Sequence, residues 1–117
     1  MIASHLLPAP RLAADIYETP DGDAYVVEIP VPGLDVSQIS IEATPEMLTI
    51  ATRPVEPNGQ ATRYLQQEQQ RGPMSRVVEF PTEIDPDNIS ANLEAGMLKI
   101  HVPKAVAARR RVITLKK

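Results

Sequence analysis

Apolar and polar residues alternate in short runs along this chain, and the runs are separated by proline, glycine and acidic residues. The clearest run is residues 89–104. Ile89, Ala91 and Leu93 alternate with Ser90, Asn92 and Glu94, the period of a half-buried strand. Glu94-Ala95-Gly96 supplies a turn in which Gly96 is free to take a positive φ. Leu98, Ile100 and Val102 then alternate with Met97, Lys99 and His101 until Pro103, which has no amide to donate, stops the pairing. Residues 24–29 repeat the pattern, with Tyr25, Val27 and Ile29 on one face and Val26 and Glu28 on the other. Residues 38–43 and 47–52 form a second hairpin around Ile39, Ile41, Leu48 and Ile50. Arg76, Val78 and Phe80 share one face of a strand over 75–80, and 14–18 is long enough for a short edge strand.

Turn chemistry separates these runs. Asp21-Gly22-Asp23 and Pro30-Val31-Pro32-Gly33-Leu34 are turn sequences, and Asp35 caps one helical turn over 36–38. Asp21 and Asp23 do not make a calcium loop, because the ligands at its later positions are missing. Residues 54–62 have no apolar face and read as a long loop. The strand after it, Tyr64 to Gln70, is almost entirely amide and acid. A strand with no side-chain face to bury fits one held by backbone pairing to another chain's edge. About eight short strands at roughly 8–12-residue spacing predict an all-β fold, an antiparallel β-sandwich.

Composition narrows the function more by exclusion than by indication. With 117 residues there is room for one modest core. Twelve prolines argue against long helices, and one Phe with no Trp argues against base-stacking platforms. The chain has no cysteine, hence no disulfide framework or thiol nucleophile, and no apolar run approaches a membrane span. The expectation is a soluble, cytoplasmic protein without membrane contact. Net charge is −3, split unevenly: nine acids and two bases give −7 over residues 1–60, while six acids and ten bases give +4 over 61–117. That split allows the basic end to dock on an acidic half. Arg109-Arg110-Arg111 without aromatic partners is too weak a footprint for nucleic acid, and reads as a solubilising stretch.

Catalytic constellations are missing from the sequence. His5 and His101 stand apart, no glycine-rich cradle opens a helix, and there is no nucleophile elbow. Glu42 with Glu46 and Asp85 with Asp87 sit beside turns, where acids are ordinarily solvated. The expectation is a protein that is not an enzyme and needs no cofactor or metal.

The order of these motifs resembles the α-crystallin domain of the small heat-shock protein family. Asp15-Ile16-Tyr17-Glu18 followed by Ala24-Tyr25-Val26-Val27-Glu28 looks like its opening strands, and Val31-Pro32-Gly33-Leu34 like its proline-glycine turn. Gly72-Pro73-Met74-Ser75-Arg76 leading to Phe80-Pro81 resembles its arginine-bearing strand. Ala91, Gly96 and Leu98 match its most diagnostic spacing, and Lys99-Ile100-His101-Val102-Pro103-Lys104 is similar too. The chain departs from the pattern at Ala95, where asparagine is usual, at Met97, a common valine, and in a stretch before Asp15 shorter than the family's N-terminal region.

The resemblance implies an immunoglobulin-like sandwich over 14–104, a flexible arm over 1–13 and a C-terminal extension over 105–117. It implies an ATP-independent stress chaperone that holds unfolding client proteins, a homodimer and higher homo-oligomer. The dimer interface would use Tyr64, Leu65, Gln66, Gln67 and Glu68, with Arg76 in the interface or its supporting ion pairs. Ile113 and Leu115, alternate residues of an extended tail, would anchor in a groove lined by Ile39, Ile41, Ile89, Ala91 and Leu93. Residues 105–111 would be a polar, basic hinge. The alternative, from another functional class, is a CS-domain-like interaction adaptor, which shares the sandwich but commonly lacks the swapped strand and anchoring tail.

Overall fold

The structure is a computed structural model that describes residues 11–53, 65 and 72–109. Seven strands run through the described residues: β1 (Asp15–Glu18), β2 (Ala24–Pro30), β3 (Ile39–Ala43), β4 (Met47–Thr52), β5 (Met74–Glu79), β6 (Ser90–Glu94) and β7 (Met97–Pro103). They form two antiparallel sheets, β1-β2-β7-β6 and β3-β4-β5. The fold is the expected all-β sandwich. Apart from Leu65, the strand predicted over 64–70 lies outside the described residues, as do the loop over 54–62, residues 1–10 of the arm and the tail from 110 on.

Alternation decides which residues enter the core. Val27 pairs with Ile100 and Ile29 with Leu98, so their side chains share a face, and all four are buried. Leu48, Ile50 and Val78 meet them from the other sheet. Each fully buried aliphatic side chain removes enough apolar surface from water to contribute about 1.5–3 kcal/mol. Val26, on the opposite face of β2, is buried too, at 5% exposure. Its cross-strand neighbours there are Tyr17 and His101, side chains long enough to cover it.

Capping and turns follow the residue chemistry. The side-chain oxygen of Gln38 accepts from the Asp35 amide at 2.9 Å, closing the 3-10 turn Val36–Gln38. Asp21 accepts from the Thr19 hydroxyl at 2.6 Å and from the Asp23 amide at 2.9 Å. Those hydrogen bonds, the hydroxyl foremost, hold its carboxyl below the ordinary carboxylate range. This is the turn predicted there.

The β6–β7 hairpin turns on Ala95 and Gly96, with φ of 51° and 75°. Two consecutive positive φ values at the centre of a two-residue loop are the pattern of a type I′ turn, whose twist matches the flanking strands. Ala95 is the sole non-glycine at positive φ among the described residues. Its Cβ crowds the following carbonyl in that region, at a cost of about 1–2 kcal/mol that asparagine partly recovers by local hydrogen bonding. Ala95→Asn is therefore expected to stabilise the fold by about 0.5–1 kcal/mol in urea unfolding. An unchanged or lower midpoint would contradict the assigned strain. The turn is tied to the 30–34 segment through the Gly96 carbonyl, which accepts from the Val31 amide at 2.7 Å; a Cβ there would stand 3.5 Å from Pro32 Cα, an ordinary contact, so it is the positive φ that favours glycine.

The core takes in one residue before the expected domain start, and backbone contacts continue past its expected end. Leu12, assigned by sequence to the arm, is 4% exposed, and its amide donates to the Ser75 carbonyl at 3.1 Å. Residues 105–109, assigned to a hinge, contain the 3-10 turn Val106–Ala108 and are bonded to the loop after β5.

Candidate interaction sites at the sheet edges

A two-sheet sandwich has four terminal strands, each presenting backbone groups with no partner inside the sheet. Here they are β1 and β6 in one sheet and β3 and β5 in the other. The four are not equally open. Leu12 bonds to β5 and partly covers its edge. Because Leu12 leads directly into β1, this bond also brings β1 and β5 to the same side of the sandwich, leaving β3 and β6 on the other.

All four residues of β1 are exposed. Ile16 pairs with the fully buried Val27, so it lies on the core-facing side of its sheet, yet it remains 42% exposed. The apolar face of the sandwich is uncovered at this strand. On the opposite face the Tyr17 hydroxyl donates to Glu28 at 3.0 Å, and that bond to the carboxylate is the main cause that raises the tyrosine's pKa. Lys99 stands 3.8 Å from the same carboxylate. The outer face is polar and its partners are satisfied, so apolar association there is restricted to the inner face and the backbone edge.

Arg76 points inward on β5, since it pairs with Ile50. Its Nη1 donates to the Leu12 carbonyl at 3.3 Å, but its Nε is buried with no hydrogen-bond partner among the described residues. A buried donor left unsatisfied costs about 1–3 kcal/mol, so an acceptor brought to this position would be bound favourably.

On the other side, Ile39 and Ile41 lie on the inner face of β3, opposite Thr52 and Ile50. Ala91 and Leu93 lie on the inner face of β6, opposite Ile100 and Leu98, and Ile89 immediately precedes that strand. Ile39, Ile41, Ile89 and Leu93 are half-buried against the core, whereas Ala91 is exposed. The residues expected to line a groove therefore sit on the two terminal strands of this side. An open pocket of about 310 Å³ lies at one end of β3, where Ile39 meets Gln38, Ala51 and Arg53. Of the expected groove residues only Ile39 lines it. A second pocket, of about 210 Å³, lies between Leu12, Val31, Leu34 and Met74.

Tyr64, Gln66, Gln67 and Glu68, and the tail residues Ile113 and Leu115, lie outside the described residues, and Leu65 is fully exposed. Among the described residues no group of three or more His, Asp or Glu side chains is placed to hold a metal ion, and no helix is long and apolar enough to cross a membrane.

Two polar anchors were not foreseen from sequence. Lys104 is 7% exposed, with its Nζ 3.4 Å from Glu18 and 4.9 Å from the centre of the Tyr25 ring. Tyr25 in turn stacks on Phe80 and bonds to the Thr82 hydroxyl at 2.8 Å. The second anchor joins Arg109 to Asp85. Neither pair is near in sequence, so no local pattern marks it.

Comparison with known proteins agrees with this architecture. The sequence profile of the Hsp20/alpha crystallin family matches residues 17–116. The 18 kDa heat shock protein of Streptomyces albus G is 34% identical over 92 residues, covering 78% of this chain and 64% of its own. The 18 kDa antigen 1 of Mycobacterium intracellulare is 33% identical over 96 residues, covering 80% and 62%. The chain thus spans a little under two thirds of the length of these relatives. In structure it resembles the small heat-shock protein of Xylella fastidiosa, with a TM-score of 0.69 and 27% identity over 94% of this chain and 100% of that one. That protein's crystal structure shows a distinct high order structure. A family profile covering nearly the whole sandwich, and relatives sharing a third of its residues, place this chain in the Hsp20/alpha crystallin family.

Proposed function

We propose that this protein is an ATP-independent holdase, a chaperone that binds unfolding proteins in the cytoplasm and keeps them from aggregating. Its unit is a homodimer in which residues 64–70 of each chain add to the β1 edge of the other. The observation that carries the reading is β1 itself, a terminal strand with a free backbone edge and a core-facing Ile16 left 42% exposed. An incoming strand would satisfy the edge through its backbone and cover Ile16, and neither task requires an apolar face on the added strand. That accounts for a segment as polar as Tyr64-Leu65-Gln66-Gln67-Glu68. Glu68 is the acid of that segment, and the Arg76 guanidinium, lying on the same side of the sandwich as β1, is short of an acceptor. The tail residues Ile113 and Leu115 join dimers into larger assemblies by docking between β3 and β6, against Ile39, Ile41, Ile89, Ala91 and Leu93.

Light scattering from a heat-labile client tests the activity. With the protein at equimolar ratio and no nucleotide, scattering is expected to fall severalfold. Unchanged scattering would overturn the holdase reading, and a monomer at micromolar concentration would favour the CS-domain-like adaptor.

A further inference from the structure

The C-terminal extension leaves the sandwich under tight control. Asp85 donates its amide to the Pro103 carbonyl at 2.8 Å, and Ala105 donates to the Glu83 carbonyl at 2.9 Å. The chain then makes one 3-10 turn, Val106–Ala108, and returns on itself. Arg109 closes the loop: its Nε donates to the Lys104 carbonyl at 2.9 Å, while its Nη2 lies 3.8 Å from Asp85 Oδ2. The same Asp85 carboxylate caps the 3-10 turn Pro86–Asn88, accepting from the Asp87 amide and from the Asn88 side chain, and that turn delivers Ile89 and β6. One carboxylate thus joins the departure point of the tail to the start of a strand expected to receive a tail.

We propose that Arg109 is a positioning residue for assembly: it clasps the first residues of the extension to the 83–85 loop and so sets the reach of the Ile113–Leu115 anchor. The proposal rests on the tail-anchor reading above. Ile113 follows Arg109 by four positions, which allows a span of at most about 14 Å. With the clasp open the tether starts at Ala105, still held by its amide to Glu83, eight positions away, and the span rises to about 28 Å. A short tether fixes the angle between neighbouring dimers, and a long one permits several. The guanidinium is suited to this role because its planar fork serves a carbonyl and a carboxylate at once, which the point charge of lysine cannot do. The pair is partly exposed, with side chains 36% and 21% accessible, so salt screens it and loosens the clasp.

The test compares the full chain with Arg109→Ala, Arg109→Lys and Ile113→Gly/Leu115→Gly by native mass spectrometry. Arg109→Ala is expected to spread the distribution of subunit numbers, Arg109→Lys to spread it less, and the tail variant to leave dimers. If Arg109→Ala gives the wild-type distribution while the tail variant collapses to dimers, the clasp proposal fails and the anchor reading stands. If the tail variant itself leaves the distribution unchanged, the anchor reading fails and takes the clasp's role in assembly with it. Hydrogen exchange examines the clasp separately, within the tail-variant background. There Arg109→Ala should speed exchange of the Ala105 and Ala108 amides about threefold to tenfold, the weight of one net hydrogen bond. Equal rates would show that Arg109 does not hold the extension, and would overturn the proposal.

Discussion

Of the two variants Gln66→Pro and Gln67→Pro, one is expected to break the dimer and the other to leave it nearly intact. Successive amides of a strand point to opposite edges, so adjacent positions cannot both donate to the same partner. Proline removes the amide, and at the paired position it strands an acceptor on β1 as well. The lost donor and the stranded acceptor together cost about 1–3 kcal/mol per strand, and a reciprocal dimer loses both strands, so dimerisation weakens about 30-fold to 25,000-fold. Sedimentation velocity across a dilution series reads this directly. Equal, small effects at both positions would mean that the segment is not held by backbone pairing. A strand packed through its side chains would show a different pattern, with Leu65→Ala the most damaging change.

The second large effect concerns size rather than pairing. Replacing Ile113 and Leu115 with glycine removes two aliphatic side chains, each contributing about 1.5–3 kcal/mol when fully buried. Each dimer carries two tails, so the loss is repeated at every junction between dimers. Light scattering should then report dimers at concentrations where the wild-type chain forms larger particles, with the Gln66 and Gln67 interface undisturbed. Large particles persisting in the variant would rule out the tail as the link. The same variant separates two sources of chaperone activity. A dimer that still suppresses client aggregation binds clients through its own surface, whereas loss of suppression ties activity to the assembly.

Much of the fold was legible because it rests on local alternation. Tyr25, Val27 and Ile29, or Leu98, Ile100 and Val102, announce a buried face through a period that needs only neighbouring residues. The same alternation places Ile39, Ile41 and Leu93, three of the residues expected to line a groove, on inner faces, where they are half-buried against the core. Ala91 is exposed although it shares their face, because β6 ends its sheet and no further strand covers it. Other features depend on residues brought together from distant parts of the chain. Leu12 follows a proline-rich stretch with no strand period, and its burial depends on Ser75, on a strand far along the chain. Lys104 looks like the polar end of a strand, but Glu18 and Tyr25 offer a carboxylate and a ring face that let the cation be buried. Arg109 reads as one of three solubilising arginines until Asp85 is placed beside it. Composition correctly made Lys104 and Arg109 polar and could not say with whom they pair.

The absence of cysteine makes one measurement especially clean, since any disulfide must come from introduced residues. One chain carries Ile16→Cys on β1, and a second carries cysteine at Leu65, Gln66 or Gln67. The two are mixed as unfolded chains, refolded together and mildly oxidised. Addition of the polar strand to a neighbour's β1 edge predicts a covalent heterodimer for at least one of the three pairings, at protein concentrations where neither chain alone forms a covalent product between unlike positions. If no mixed pair crosslinks, while a single chain carrying both cysteines closes on itself, the strand lies on its own sandwich and the swapped dimer is wrong.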